Sequence, residues 1–427
     1  MFEKLVQIFK IKDLRKKILY TVALLVVFRL AAQIPVPGAN TENLKRFFES
    51  NQLFGLLNVF TGGAMENLSV VMLGVGPYIT ATIIMQLLSM IVPSVQKMMK
   101  EEGEAGRNKF NQWSRILTVP LAAMQGYAMI NMLSRGNQPV ITNLTGWTLI
   151  TTIVCITAGS IFLMWLGELI TESGVGNGIS LIIFAGIVTK IPQSIYQTAI
   201  TFDPSQLINM IIFSIIAIVV IAGIVFVTEA RRNIPVSYAR RVRGMKMYGG
   251  AQTYLPLRVN AAGVIPIIFA MSVMLFPGMV ANFFVNSSQK WLASVAQNTA
   301  HLFQNQTFYS VLYFVLVVAF TYFYTSVIFE PKSVAEHLQK QGGFVPGIRP
   351  GRPTQDYLRQ TVNKITLAGA LFLGVVAILP FLVQAGTKIA TFNYMIGGTS
   401  ILIVVSVVLE TVKQVESQMI MRDYKGF

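Results

Sequence analysis

The chain has 427 residues, of which 53% are hydrophobic and only 12% are charged, and its mean hydropathy is +0.59. Because soluble domains average about 25% charged residues, this composition excludes an ordinary soluble protein and indicates a polytopic membrane protein. The net charge of +16 at pH 7 would favour a nucleic-acid partner in a soluble chain, but in a membrane protein its distribution between loops matters more than its size.

Hydropathy along the chain predicts ten membrane-spanning helices, since a bilayer is crossed by about 20 apolar residues. They cover residues 18–34, 69–92, 113–133, 149–169, 179–200, 207–228, 259–284, 309–329, 365–383 and 394–412. Five precede the midpoint near Phe202 and Asp203 and five follow it. The halves 1–202 and 203–427 therefore enter the membrane from opposite sides, which permits an inverted repeat. We predict an all-α membrane protein.

The distribution of basic residues predicts the orientation. Ten crossings place both termini on one side, and that side carries most of the 34 Lys and Arg residues. Arg29 lies inside the first helix, close enough to its end to reach the interface. The opposite side carries only Lys45, Arg46, Arg135, Lys190, Lys290 and Lys388. By the positive-inside rule, both termini are cytoplasmic.

The stretch 58–92 joins a short broken segment to a full helix. Residues 58–68 are mixed in character and are interrupted by Gly62 and Gly63, whereas residues 69–92 form an uninterrupted apolar run. A half-helix in front of a full helix is typical of backbone that lies at membrane depth against protein or water. This arrangement indicates a re-entrant pore element.

One face of that full helix changes character along its length. Val75, Ile79, Thr82 and Gln86 follow each other at i, i+4, i+7 and i+11, so they form one stripe. An aliphatic start and a polar end favour a dry constriction beside a polar cavity or a protein neighbour. The alternative is that all four side chains simply pack against other helices, and spacing by itself favours that alternative.

Several other functions are excluded by the residue types present. Glutamates fall at or near the ends of the predicted helices and not at a midplane, which argues against an ion-coupled transporter. The chain has no GxxxxGK[ST] loop and no nucleophile with a general base, so we expect no enzyme. Cys155 is the only cysteine and the two histidines are far apart, so we expect no metal and no cofactor.

Two loops on the basic side are longer than a connection needs. Residues 229–258 alternate basic and apolar residues around glycines, which predicts a hairpin with a basic face. Residues 331–363 contain the sequence FVPGIRPGRP, whose prolines and glycines hold Arg349 and Arg352 on a shaped tip. These charges could serve only to set topology, but length and turn chemistry favour a docking surface for a large cytoplasmic partner, acidic or RNA-containing.

Long motifs in this order resemble the SecY family, the central subunit of the bacterial protein-translocation channel. The resemblance covers nearly the whole chain except the loops around 135–147 and 283–308. The motifs are FTGGAMENLSV, GVGPYITATIIMQLL, EGEAGR, FLMWLGELITESGVGNGIS, IIFAGIV, YARRVRGMKMYGGAQTYLPLRVNAAGVIPIIFA, FVPGIRPGRPT and GGTSILIVV.

The resemblance implies two pseudo-symmetric inverted halves around an hourglass pore, with a plug in residues 58–68 and a side gate between the second and seventh helices. It implies that the pore ring consists of Val75, Ile79, Ile179, Ile183, Ile268 and Ile403. The implied plug residues are Asn58, Phe60, Gly62, Gly63 and Met65. The implied polar residues of the gate are Thr80, Gln86 and Asn260, and the docking residues of the basic loops are Arg240, Arg241, Arg243, Arg349 and Arg352.

The function implied by the resemblance is a protein-conducting channel in the bacterial cytoplasmic (inner) membrane, which passes unfolded polypeptides and inserts membrane helices laterally. The implied partners are SecE and SecG in the membrane, the motor ATPase SecA or a ribosome at the basic loops, and a translocating polypeptide with its signal sequence. A secondary transporter of small solutes is the alternative, and a buried midplane carboxylate would distinguish it. A purely structural scaffold would make little use of the half-helix.

Overall fold

The structure is a computed structural model of the chain. It describes residues 11–36, 61, 64–65, 67–100, 103–134, 146–200, 207–238, 241–243, 246–248, 252–284, 289–387 and 398–423. Four predicted plug residues lie outside the described residues: Asn58, Phe60, Gly62 and Gly63. The predicted docking residue Arg240 also lies outside them, as do the side chains of Arg241 and Arg243.

Helices dominate the described residues. In chain order, α1 to α13 cover Lys12–Ala31, Gly76–Ile91, Pro93–Lys100, Gly103–Ser134, Gly146–Ser173, Gly178–Ile200, Leu207–Glu229, Ile265–Phe284, Lys290–Gln304, Gln306–Ile328, Pro331–Lys340, Arg352–Thr387 and Gly398–Asp423. Each predicted membrane segment overlaps one of them. Four stretches are long and apolar enough to cross a membrane by themselves: Gly146–Ser173, Met210–Glu229, Gln306–Lys340 and Arg352–Val383. The count of ten crossings therefore stays a prediction.

Several predicted boundaries are wrong. The helix predicted over 69–92 begins at Gly76, because residues 67–75 form turns in which Leu68 and Gly74 have φ of 40° and 58°. It ends at Ile91 because Val92 precedes Pro93 and is extended. The helix predicted over 259–284 begins at Ile265, after a turn that contains Gly263 with φ of 63°. The loop predicted over 331–363 becomes helical again at Arg352.

Buried apolar side chains of α1, α2, α5 to α8, α10, α12 and α13 form the largest hydrophobic cluster. Contacts of α8 with α2 and α4, and of α13 with α6, join the part of the chain before residue 203 to the part after it. Close packing between α10 and α12 depends on Gly374, because a Cβ at this position would lie 2.6 Å from the ring of Phe314.

A small sheet stands apart from the helical core. Strand β1 (Arg231–Tyr238) pairs antiparallel with β4 (Gln252–Arg258), and β5 (Gly343–Phe344) pairs with the other edge of β1, giving the order β4-β1-β5. Between β1 and β4, the strands β2 (Arg241–Arg243) and β3 (Lys246–Tyr248) form a second antiparallel pair. The predicted hairpin is thus confirmed.

Apolar side chains from both long loops form one core beneath this sheet. Ile234 and Leu257 of the strands pack with Ala335 of α11, Val345 after β5 and Leu358 of α12. Because these residues lie in two loops separated by more than 70 residues, the loops fold as one unit, which the sequence analysis treated as two separate projections. We call this unit, residues 231–258 and 331–358, the basic-loop unit.

The core of the basic-loop unit can be tested with Leu358→Ala. Leu358 is fully buried, so its truncation is expected to destabilise the unit by roughly 2–5 kcal/mol. We expect faster tryptic cleavage between residues 239 and 251 in the membrane-inserted protein. Leu367→Ala, at an exposed position of the same helix, is the control. Equal cleavage of the two variants would contradict the shared core.

Candidate pore constriction and gate

The predicted ring residues lie together in the structure. Five of them, each at most 9% exposed, belong to the largest buried cluster: Val75, Ile79, Ile183, Ile268 and Ile403. The sixth, Ile179, packs against the same cluster. They come from the start of α2 and of α6 and from α8 and α13, so one cluster contains side chains of four helices that are distant in sequence.

The start of α2 presents two ring residues on one face. Val75 is the N-cap residue of α2, and the N–H of Ile79 donates to its carbonyl at 3.0 Å. Pro77 lies in the first turn, where its missing N–H would have no intrahelical acceptor in any case. The helix therefore starts with both side chains directed at the cluster.

Two glycines allow α5 and α6 to approach closely beside the cluster. A Cβ at Gly178 would overlap the carbonyl oxygen of Gly167, and a Cβ at Gly167 would lie 2.5 Å from Cδ1 of Ile179. Only a residue without a side chain fits at Gly178, whereas a Cβ at Gly167 would require the end of the Ile179 side chain to move. The contact fixes where α6 begins and hence where Ile179 and Ile183 lie.

The turn before α6 is held by hydrogen bonds. The side chain of Asn177 accepts from the N–H of Ser180 at 3.1 Å and so caps the helix. The hydroxyl of Thr171 accepts from the N–H of Gly178 at 2.9 Å. The side chain of Gln418, near the end of α13, donates to the carbonyl of Gly174. These bonds tie the turn to α5 and to α13.

The residues in front of α2 pack between two hydrophobic clusters. Residues 61, 64–65 and 67–75 form turns, so the half-helix predicted over 58–68 is not helical at its described positions. Ala64 belongs to the cluster that contains the ring residues, whereas Met65 and Leu68 belong to a second cluster. The N–H of Val36 donates to the carbonyl of Leu68 at 2.7 Å, which fastens this segment to the end of α1.

The predicted gate residues differ in how their polar groups are satisfied. The hydroxyl of Thr80 donates to the carbonyl of Gly76, four residues earlier, at 3.0 Å. The side-chain carbonyl oxygens of Gln86 and Asn260 are buried without a hydrogen-bond partner among the described residues. A buried unsatisfied group costs about 1–3 kcal/mol. Gln86 belongs to α2, and Asn260 lies in the turn before α8, which packs against α2.

Three ion pairs were not predicted from the sequence. Nε of Arg115 in α4 lies 2.7 Å from Oε1 of Glu168 in α5. Glu229 at the end of α7 pairs with Lys413 of α13 and, at 3.7 Å, with Arg231. The sequence showed these glutamates only as residues near helix ends, because Arg115 and Lys413 are far from them along the chain and no local spacing connects them.

Two predicted docking residues lie on an exposed turn of the basic-loop unit. Arg349 and Arg352 are exposed. Gly347, before both arginines, and Gly351, between them, have φ of 82° and 96°, a left-handed backbone conformation that favours glycine. The hydroxyl of Thr354 donates to the carbonyl of Arg349 at 2.8 Å. The two glycines and the hydrogen bond from Thr354 thus stabilise the turn, and both arginine side chains are exposed.

The fold is shared with solved protein-conducting channels. A structure reported as "The structure of a protein conducting channel" matches with a TM-score of 0.62 and 20% identity, over 94% of this chain and 91% of that chain. A second, reported as "The plug domain of the SecY protein stablizes the closed state of the translocation channel and maintains a membrane seal", has the same TM-score and coverage at 21% identity. The chain therefore shares the fold of these solved structures.

The chain belongs to the SecY family, whose model matches residues 69–412. It is 44% identical over 438 residues to the protein translocase subunit SecY of Halalkalibacterium halodurans, with 100% of both chains covered. The resemblance that the motifs indicated is thus confirmed. Membership in this family makes the chain a membrane protein of the protein-conducting channel type, which transports and does not itself catalyse.

The contact that fixes α6 can be tested with Gly178→Ala. The added methyl would overlap the Gly167 carbonyl, so we expect a loss of about 1–3 kcal/mol of stability and a lower Tm in detergent. Gly278→Ala in α8 is the matched control, because a Cβ there has nothing within 4 Å. The same Tm for both variants would contradict the close approach of α5 and α6.

Proposed function

We propose that this chain forms the pore of a bacterial protein translocase, which conducts unfolded polypeptides across the cytoplasmic membrane and releases hydrophobic helices sideways into the lipid. The observation that carries the proposal is the convergence of aliphatic side chains from α2, α6, α8 and α13 in one buried cluster of a SecY-family chain. A whole polypeptide presents unlike side chains, so fixed polar ligands would be the wrong lining, whereas branched apolar side chains form a dry and deformable seal.

The closed pore is a ring of the six aliphatic residues between two inverted halves, 1–202 and 203–427, with ten membrane crossings in total. Simple packing within one helical bundle would require only neighbouring helices to meet. The ring also needs contributions from both halves, and the cluster contains Val75 and Ile79 from the first half and Ile268 and Ile403 from the second. That combination supports the ring over the packing alternative.

The segment before α2 acts as the plug. Its described residues support this role because Ala64 shares the cluster of the ring residues, while Met65 anchors the segment in a second cluster beside α4 and α5. Leu68, with a φ of 40°, has a backbone conformation that a side chain disfavours, so the turn is held by its surroundings. A plug that is held by packing can leave when a polypeptide separates the helices.

The side gate opens between α2 and α8. A seam that opens must be weaker than the seams around it, and interhelical hydrogen bonds in membranes contribute only about 1 kcal/mol each. Gln86 and Asn260 support a weak seam here, because both keep a buried carbonyl oxygen unpaired among the described residues. A signal-sequence helix that enters the gate offers new partners to these amides.

Partner proteins supply the energy for translocation and complete the channel complex. The exposed Arg349 and Arg352, with Arg240, Arg241 and Arg243 of the other loop, form the docking surface for the motor ATPase SecA or for a ribosome, and SecE and SecG lie alongside in the membrane. The concentration of basic residues on the loop side supports cytoplasmic loops and cytoplasmic termini in the bacterial inner membrane.

Passage through the ring predicts a specific crosslink. A photoreactive amino acid in place of Ile79 should react with a secretory chain that is stalled during translocation, because the ring encloses the passing polypeptide. The control probe replaces Ile218, an exposed residue of α7 that the proposal assigns to the lipid face. The measurement is the yield of the crosslinked product on a gel. Equal yields at the two positions would contradict a pore at the aliphatic cluster.

Docking at the basic-loop unit predicts that Arg349→Glu impairs export. Because Arg349 is exposed and its side chain carries no part of the hydrophobic core, the variant should insert and fold normally. Motor-driven export into reconstituted vesicles should fall at least severalfold, since charge reversal repels an acidic partner. Arg359→Glu, an exposed arginine in the same helix region, makes the same change in net charge and serves as the control. Export at the level of the control would contradict the docking role.

A further inference from the structure

Helix α9 (Lys290–Gln304) was not among the predicted membrane segments and has no role in the pore, the plug or the gate. It contains 15 residues, about 22 Å of helix, and polar residues interrupt it, so it cannot cross a membrane. Its position is nevertheless fixed by the membrane helices beside it. It packs against α8 and is followed directly by α10, with Asn305 as the only residue between the two helices.

One face of α9 packs on the protein. Ala296 is buried, and Phe303 packs against the large hydrophobic cluster. The ring of Phe303 meets that of Phe308 in α10 edge-to-face, with 5.9 Å between the centroids. The side chain of Asn305 accepts from the N–H groups of Thr307 and Phe308, at 3.0 and 3.3 Å, and so starts α10 in a new direction. Helix α9 therefore cannot swing away from the ends of α8 and α10.

A second face of α9 is apolar and exposed. Trp291, Val295 and Leu302 are 66%, 55% and 52% exposed. At 100° per residue they lie within about 40° of one another around the helix, so they form one stripe. Asn298 lies on the same stripe and Gln297 on the polar side of the helix. An apolar stripe with a Trp at one end is the pattern of a helix that lies in a membrane interface.

The chemistry beside this stripe favours lipid as the occupant. The indole N–H of Trp291 already donates to the side chain of Gln289 at 3.1 Å, so the ring can enter an apolar layer without leaving a donor unpaired. Lys290 stands next to it and α9 contains no acidic residue, which complements anionic headgroups. Phe308, Val311 and Val315 continue an exposed apolar face along α10, a helix of membrane-spanning length and composition.

We infer that α9 is an interfacial helix whose stripe of Trp291, Val295 and Leu302 inserts into the headgroup–acyl boundary of the leaflet where α8 ends and α10 begins. This inference goes beyond the proposed pore, since it concerns a surface that binds lipid. Because α9 packs on α8, one end of α8 is held at a fixed depth in the membrane. Helix α8 can then move laterally relative to α2 more readily than it can slide along the membrane normal.

Tryptophan fluorescence tests the inference in the purified full-length channel, with its co-purifying subunits, in phosphatidylcholine and phosphatidylglycerol vesicles. Trp113, Trp147 and Trp165 are replaced by Phe, and the emission of a parallel Trp291→Phe sample is subtracted. The probes are lipids brominated near the carbonyl end or near the methyl end of the chains, and aqueous iodide. We expect bromine near the carbonyl end to lower Trp291 emission about twofold, and bromine near the methyl end and iodide to lower it less.

The matched control places the only Trp of this chain at Gln297→Trp, with Trp291→Phe, on the polar side of the same helix. We expect iodide to quench that residue and brominated lipids to quench it weakly. If Trp291 is quenched by iodide like the control, the stripe faces water and the inference is wrong. If no probe quenches Trp291, a protein covers the stripe and the inference is equally wrong. Should the triple Phe variant not fold, the difference in emission between the unsubstituted chain and Trp291→Phe gives the same measurement.

Discussion

The contact among aliphatic side chains of α2, α6, α8 and α13 is the interaction on which the rest of the structure depends. These side chains range from Val75 to Ile403 along the chain, so the cluster that contains them joins helices from both ends of the sequence. Apolar contact is non-directional, which lets the centre close tightly and yet deform. A polar centre with fixed hydrogen bonds would be selective for one kind of side chain, which is the opposite of what a polypeptide channel needs.

The helix–helix contacts around this hydrophobic cluster differ in how closely the backbones approach each other. Backbone approaches backbone where Gly178 lies on the carbonyl of Gly167 and where a Cβ at Gly369 would lie 2.7 Å from the carbonyl of Val259. Such contacts permit no side chain and leave little freedom for sliding. The side-chain carbonyl oxygens of Gln86 in α2 and of Asn260, just before α8, are instead buried without a hydrogen-bond partner among the described residues. In the proposed channel, these unsatisfied groups make the contact between α2 and α8 the one that opens.

Helix α8 is connected to the basic-loop unit at one end and packs against α9 at the other. The sheet β4-β1-β5 joins the loop after α7 to the loop after α10, so a force applied to the exposed arginines reaches α8 through β4 and α12 through its first turns. At its other end α8 packs against α9, whose apolar stripe is assigned to lipid. In the proposed arrangement, α8 is held at one end by the basic-loop unit and at the other by the interfacial helix α9, whereas α2 packs closely against neither of them among the described residues.

The sequence by itself determined the class of protein, the approximate helices, the hairpin of the basic loop and the family, because hydropathy, turn residues and long motifs are local properties of the chain. Spacing also put Val75 and Ile79 on one face. Only the tertiary structure decided that the six aliphatic residues belong to or pack against one buried cluster, that α2 begins at Gly76, that Glu168 pairs with Arg115 and that two loops share one core. Each of these outcomes depends on contacts between residues far apart in sequence, and a periodicity along one segment carries no information about its distant partner.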